Sequence, residues 1–171
     1  VVRGRIRDAL RSEELRWYLL ILAATIGLIC VDLHVELGQG WYESVTDAAF
    51  QATTIMSTTG YATKDFTLWP TFSRCILVLL MYVGGCAGST SGGMKISRLM
   101  LQVKSLRREL DHIIHPNRVS VITIDGQSVD ERAVNSAHMF QVAYLLILMA
   151  GTLVVSLDVL GFTESLSLIH I

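Results

Sequence analysis

Two short stretches hold residue types whose spacing could do chemistry. The first, Thr58-Thr59-Gly60-Tyr61, sets consecutive carbonyls beside two threonine hydroxyls, with a glycine able to take backbone angles that a Cβ penalises. Carbonyl oxygens arranged in a ring can replace the hydration shell of a potassium ion, so K+ is the expected guest at Thr58, Thr59 and Gly60. The second stretch is Gly84-Gly85-Cys86-Ala87-Gly88-Ser89-Thr90-Ser91-Gly92-Gly93, which has no large side chain and follows the apolar run from Cys75 to Val83. Each interior glycine costs a helix about 1 kcal/mol relative to alanine, which predicts a break in the helix here. Irregular backbone at membrane depth survives only where protein buries it or a watery path runs beside it. Broken helices are how transporters coordinate and gate ions.

The rest of the chain is suited to carry such a path. Apolar residues make up 51% of its 171 positions, charged residues 17%, and the mean hydropathy is +0.49. That charge content lies below the roughly 25% of soluble domains and points to a lipid bilayer as solvent. Three segments are expected to span: about 15 to 35, a second from near Pro70 to the glycine stretch, and about 137 to 160. Trp17, Tyr18 and Trp69 stand at ends suited to interfacial anchoring. Between the first two, 41–57 has an apolar core too short to cross and fits a re-entrant pore helix. Its stripe of Tyr42, Val45, Ala49 and Thr53 could pack on the flanking spans. The cysteines Cys30, Cys75 and Cys86 have no metal-ligand spacing and read as free thiols.

Charge asymmetry orients the chain. Arg3, Arg5, Arg7, Arg11 and Arg16 precede the first span, and seven Lys or Arg residues lie between Lys95 and Arg132. The positive-inside rule makes residues 1–14 and 95–132 cytoplasmic and 36–68 extracellular or periplasmic. Asp32, Glu36, Glu43, Asp47 and Asp65 would then form an acidic mouth that concentrates cations. The stretch from Lys95 to Asp111 reads as a helix ending before His115-Pro116. Val119 to Val129 reads as a hairpin turning at Asp125-Gly126, and Asp130-Glu131 opens the last helix.

Other chemistries fit less well. In Gly88-Ser-Thr-Ser-Gly-Gly-Met-Lys95, Met94 separates the lysine from the glycines and Ile96 follows it, which breaks a nucleotide P-loop. No enzyme is expected. Asp111, His112 and His115 lack the further ligands of a metal site. Gly84 and Gly88 could serve a small-xxx-small helix contact, so a structural packing module is one alternative. A simple potassium-channel pore subunit is another, although Ala62 stands where such filters carry glycine.

The order of helix, pore helix, T-T-G-Y, and a second helix broken at G-G-C-A-G-S-T-S-G-G-M-K resembles the TrkH/KtrB/HKT superfamily of potassium and sodium transport proteins. The resemblance covers about residues 11 to 164, and His115-Pro116 with the hairpin resembles the TrkH branch. It implies an all-α membrane fold of helix–pore-helix–helix repeats with a small cytoplasmic β-hairpin. Residues 1–14 would be a basic flank and 15–111 the third repeat, with pore helix 41–57, filter 58–61 and intramembrane loop 84–93. Residues 112–130 would be a cytoplasmic link, 131–165 the first helix of the fourth repeat, and 166–171 a non-native tail whose His170 has no role. The resemblance further implies a multi-pass protein of the cell inner membrane that conducts K+ through the filter at Thr58, Thr59, Gly60 and Tyr61. Gly84 to Gly93 would be the gate. No organic cofactor and no nucleic acid are implied. The implied partners are a second copy of the full-length subunit and a TrkA-like cytoplasmic nucleotide-binding regulator.

Overall fold

The computed structural model describes residues 12–115 and 122–156. Arg3, Arg5, Arg7 and Arg11, the segment 116–121 with Pro116 and Arg118, and the expected tail 166–171 lie outside the described residues. Helix α1 runs Glu13–Leu37, with Glu13 and Glu14 in its first turn, where acids suit the positive end of the helix dipole. Gly38 ends it in the left-handed region at φ 61°. Residues 38–40 turn the chain back into α2, Trp41–Met56. At that corner His34 stacks on Trp41 with ring centroids 4.1 Å apart, and its Nδ1 donates to the Gln39 carbonyl at 2.7 Å.

Helix α2 buries Ser44, Ala48, Ala52 and Ile55, which recur at helical spacing, against Thr25, Ile29 and Leu33 of α1 and against α3. Small residues at that seam let the two backbones approach closely. The expected packing stripe is therefore corrected: Tyr42, Val45 and Thr53 face outward and Ala49 is half-buried. A tyrosine in the seam would hold the helices apart, whereas Ser44, Ala48 and Ala52 close it.

A 3-10 turn at Phe66–Leu68 leads to Pro70 and α3, Thr71–Tyr82. Twelve residues cover only about 18 Å, so α3 is a half-span. The expectation of three full spans is corrected to two: among the described residues only α1 and the last helix are long and apolar enough to cross a membrane. Trp69 is also corrected, since it is 5% exposed and belongs to the core instead of anchoring at an interface. That core joins Ile29, Leu33, Ile55, Met56, Leu77 and Met81 with Ile96 and Met100 of α4.

Helix α4, Ile96–Ile114, stops at His115 as its sequence predicts. The hairpin pairs β1, Thr123–Ile124, antiparallel with β2, Gln127–Ser128, through Asp125 (φ 49°) and Gly126 (φ 78°). Two left-handed residues in a row make the primed turn that suits strand twist. Lys104 of α4 pairs with Glu13 and donates to the Thr123 carbonyl at 2.6 Å, which fastens the hairpin to α1 and α4. Helix α5, Glu131–Ser156, follows. Arg108 pairs with its Glu131, and Leu101, Ile122, Val134 and Ala137 form a second small core.

Candidate functional site: a filter segment and a broken-helix loop

The last turn of α2 delivers Thr58 to Tyr61. Thr59 N–H bonds the Thr54 carbonyl at 2.9 Å and Thr58 N–H the Ile55 carbonyl at 3.0 Å. This pair of bonds is the Schellman ending, in which one residue must be left-handed. Here that residue is Thr58, at φ 52°. For a β-branched side chain this conformation is an outlier costing on the order of 1–3 kcal/mol. Gly60 is left-handed too, at φ 82°, as the filter reading requires. Ser57 Oγ closes the helix end on the Thr53 carbonyl at 2.7 Å and meets Thr59 Oγ1 at 2.6 Å. Among the described residues no donor meets the carbonyls of Thr58, Thr59, Gly60 or Tyr61. Four consecutive acceptors therefore remain available to a cation.

The glycine stretch leaves α3 and returns to α4 through a closed stem. Gly84 N–H bonds the Met94 carbonyl (2.8 Å), Met94 N–H the Tyr82 carbonyl (3.3 Å), and Ile96 N–H the Gly85 carbonyl (3.1 Å). A Cβ on Gly84 would lie 2.2 Å from the Gly92 carbonyl oxygen, and one on Gly85 2.4 Å from Ser91 Oγ. Gly84 is required by the close approach of backbone, whereas at Gly85 the Ser89 and Ser91 side chains would have to give way. At Gly88 a Cβ would meet nothing within 4 Å, so the Gly84–Gly88 pair makes no helix contact among the described residues. Ser91 Oγ accepts from Gly85 N–H at 2.8 Å and Ser89 Oγ donates to the Cys86 carbonyl at 2.7 Å, so hydroxyls satisfy the freed backbone. Thr90 is exposed and makes no such bond among the described residues.

Lys95, read from the sequence only as the start of the basic helical stretch, turns its ammonium into the loop. Its Nζ donates to the carbonyls of Ser89 (2.8 Å) and Ser91 (2.5 Å). Only its position directly after the glycines hinted at this. Two contacts tie the loop to other elements. Gly92 N–H donates to Thr58 Oγ1 at 2.9 Å, and Ala87 N–H to Glu14 Oε1 at 2.5 Å. Residues 58–61 and the glycine loop, distant in sequence, are thus in direct contact.

The expected acidic mouth is mostly consumed by structure. Asp32 accepts from Ser73 N–H (3.1 Å) and Oγ (2.5 Å) and caps α3, where Pro70 offers no side-chain cap. An acid inside an apolar span signals a partner by default, so this contact was legible. Asp47 accepts from Lys64 Nζ at 2.6 Å, which raises the lysine's pKa, and Asp65 caps the 3-10 turn. The hydroxyl and backbone N–H of Thr67 hold the Asp65 carboxyl below its ordinary range. Glu36 and Glu43 remain exposed. The three cysteines are free, and no metal-binding group of His, Cys, Asp or Glu occurs among the described residues.

Comparison with known proteins shows the family and the fold. Residues 13–167 match the TrkH family model, described as cation transport protein. The chain is 36% identical over 123 residues to the Trk system potassium uptake protein TrkH of Vibrio parahaemolyticus, covering 70% of this chain and 25% of that protein. It is 32% identical over 166 residues to TrkI, a Trk system potassium uptake protein of Halomonas elongata, covering 97% of this chain and 34% of that one. The crystal structure of the potassium transporter TrkH from Vibrio parahaemolyticus superposes with a TM-score of 0.84 at 28% identity, over 94% of this chain and 35% of that one. The chain therefore spans between a quarter and about a third of the length of these relatives.

Proposed function

The chain belongs to the TrkH family of cation transport proteins, and on that premise we propose that it is the third helix–pore-helix–helix repeat, with the first helix of the fourth, of the ion-conducting subunit of a Trk-type potassium uptake system. In this reading α1 and α3 flank α2 as pore helix. The unpartnered carbonyls of Thr58, Thr59, Gly60 and Tyr61 are this repeat's share of a ring that holds dehydrated K+. Residues 84–93 are the gate beneath it. The observation that carries the reading is the bond from Gly92 N–H to Thr58 Oγ1, which seats the broken helix against the filter segment.

The outward face of α2 gives the other repeats their place. Beside it lies an open groove of about 490 Å³, lined in part by Ala49, Phe50, Thr53, Thr59 and Tyr61. A surface of this kind, between a pore helix and its filter, is where neighbouring repeats would close the ring. On the opposite side, α4 and the hairpin would receive a TrkA-like nucleotide-binding regulator, in a homodimer at the cell inner membrane.

The test is reconstitution of the complete protein in vesicles carrying a K+ gradient. The reading expects a membrane potential set by K+ and insensitive to equimolar Na+. Equal permeability to both ions, or none to K+, would refute it.

A further inference from the structure

We infer that Thr58 is the latch that holds the gating loop against the filter segment, and that its hydroxyl serves the loop, not the ion. The inference rests on the reading of 58–61 as filter and 84–93 as gate, and it assigns Thr58 a positioning role that this reading does not contain.

The hydroxyl is engaged on both sides. Thr58 Oγ1 donates its proton to the Ser57 carbonyl at 2.7 Å and accepts the Gly92 N–H at 2.9 Å. The proton can therefore satisfy the helix end while a lone pair stays turned to the loop. The backbone explains how it gets there. A Schellman ending needs one left-handed residue, and glycine fills that place without strain. Threonine at φ 52° is strained, and what it adds over glycine is the hydroxyl. Strain held at a contact between two functional segments is where a switching residue is expected.

The loop's other fastenings differ in kind. Lys95, Ser89 and Ser91 bind the loop to itself, and the stem binds its two ends together. They would travel with the loop if it moved. Thr58 and Glu14 are the described residues outside the loop and its stem that hydrogen-bond to it. Of these two, only Thr58 belongs to the filter segment. Movement of the loop away from the filter must break the Thr58–Gly92 bond. In return, a shift of Thr58 backbone during ion occupancy is transmitted to Gly92 at once.

The experiment compares Thr58→Val and Thr58→Ser in the complete protein. Valine keeps the size and the β-branching but has no hydroxyl, and serine keeps the hydroxyl. Amide hydrogen exchange of the peptide covering 84–95 reads the loop directly on folded, detergent-purified protein, and K+ flux per folded protein is measured in parallel. The latch predicts that exchange in Thr58→Val rises about three- to tenfold, the shift that one net hydrogen bond supports. Unregulated K+ flux should rise with it, while Thr58→Ser keeps wild-type loop exchange. Equal loop exchange in Thr58→Val and wild type would overturn the latch. So would a loss of K+ over Na+ preference in Thr58→Val without any change in loop exchange, because the hydroxyl would then serve the ion. If the wild-type protein conducts no K+ yet Thr58→Val still loosens the loop, the latch stands and the transport reading fails.

Discussion

Replacing Gly84 by alanine should open the gate. The added Cβ would sit 2.2 Å from the Gly92 carbonyl oxygen and 3.2 Å from the Gly93 carbonyl carbon and the Met94 carbonyl oxygen. All three are backbone atoms, so no side-chain rotation relieves the clash. Ordinary contact requires the two strands of the stem to part by more than about 1 Å. The bonds at stake are Gly84 N–H to Met94 at 2.8 Å and Met94 N–H to Tyr82 at 3.3 Å. Overpacking costs about 1–3 kcal/mol, and each stem bond lost adds roughly 1 kcal/mol. The seated loop is then disfavoured by about 2–4 kcal/mol, which at 1.4 kcal/mol per tenfold is roughly 30- to 700-fold in its population. The assay is 86Rb+ or K+ uptake by the complete protein in vesicles, normalised to the monodisperse fraction on gel filtration. Gly88→Ala is the matched control, because its Cβ meets nothing within 4 Å. Gly84→Ala should leak and lose regulation while Gly88→Ala behaves as wild type. If Gly84→Ala folds normally and conducts as Gly88→Ala does, the stem does not seat the gate.

Four further outcomes are expected. Gly60→Ser places a Cβ on a residue at φ 82° and should weaken K+ preference or abolish uptake, read as K+ against Na+ flux in a potassium-uptake-deficient host; unchanged selectivity and rate would remove Gly60 from the filter. Deleting residues 87–90 should leave selectivity intact and speed unregulated flux, whereas lost expression would favour a packing role for the loop. Glu14→Ala removes the acceptor of Ala87 N–H and should raise loop amide exchange a few-fold, about the effect of one hydrogen bond, with no change at the filter peptide; an unaltered loop would count against the contact. Arg107 is exposed while Arg108 is tied to Glu131, so Arg107→Glu should weaken regulator co-purification in a salt-sensitive way, and Arg108→Glu should in addition loosen α4 from α5. Undiminished binding in Arg107→Glu would move the docking site elsewhere.

Local signals in the sequence carried most of the architecture. Five glycines among ten small residues predicted the broken helix, Asp125-Gly126 predicted the hairpin, and His115-Pro116 predicted the end of α4, because each is a backbone effect of the residues themselves. Tertiary partners were less legible. Tyr42 and Val45 drew attention as a stripe because they are apolar, but the seam went to Ser44, Ala48 and Ala52, whose value is their small size. A hydropathy window likewise could not tell that Trp69 turns inward, or that the twelve residues of α3 fall short of a full span. At the site, Gly60 was found through its conformational freedom. Thr58 was named for its oxygens, and its left-handed backbone was missed because that ending normally falls to glycine. Glu14 and Asp32 act across long sequence separations on the N–H groups of Ala87 and Ser73, and of the two only Asp32, an acid inside an apolar span, signalled a partner. Lys95 acts locally on the Ser89 and Ser91 carbonyls, which its place after the glycines only hinted at.

The stem has a consequence for how such a segment can change over time. Because Val83 and Met94 are bridged side by side, residues 84–93 form an excursion that begins and ends at nearly the same point. Helices α3 and α4 are positioned by the bridge and by the core shared among Leu77, Ile96 and Met100, not by what lies between. The entropy of closing such an excursion grows only with the logarithm of its length, about 0.6 kcal/mol for each doubling. Insertions, deletions and exchanges within it are therefore cheap to the scaffold, and the segment can be treated as a cassette. Loops from distant homologues grafted between Gly85 and Met94 should fold into this frame, so the proposed gate could diverge among relatives while the proposed filter at residues 58–61 stays the same.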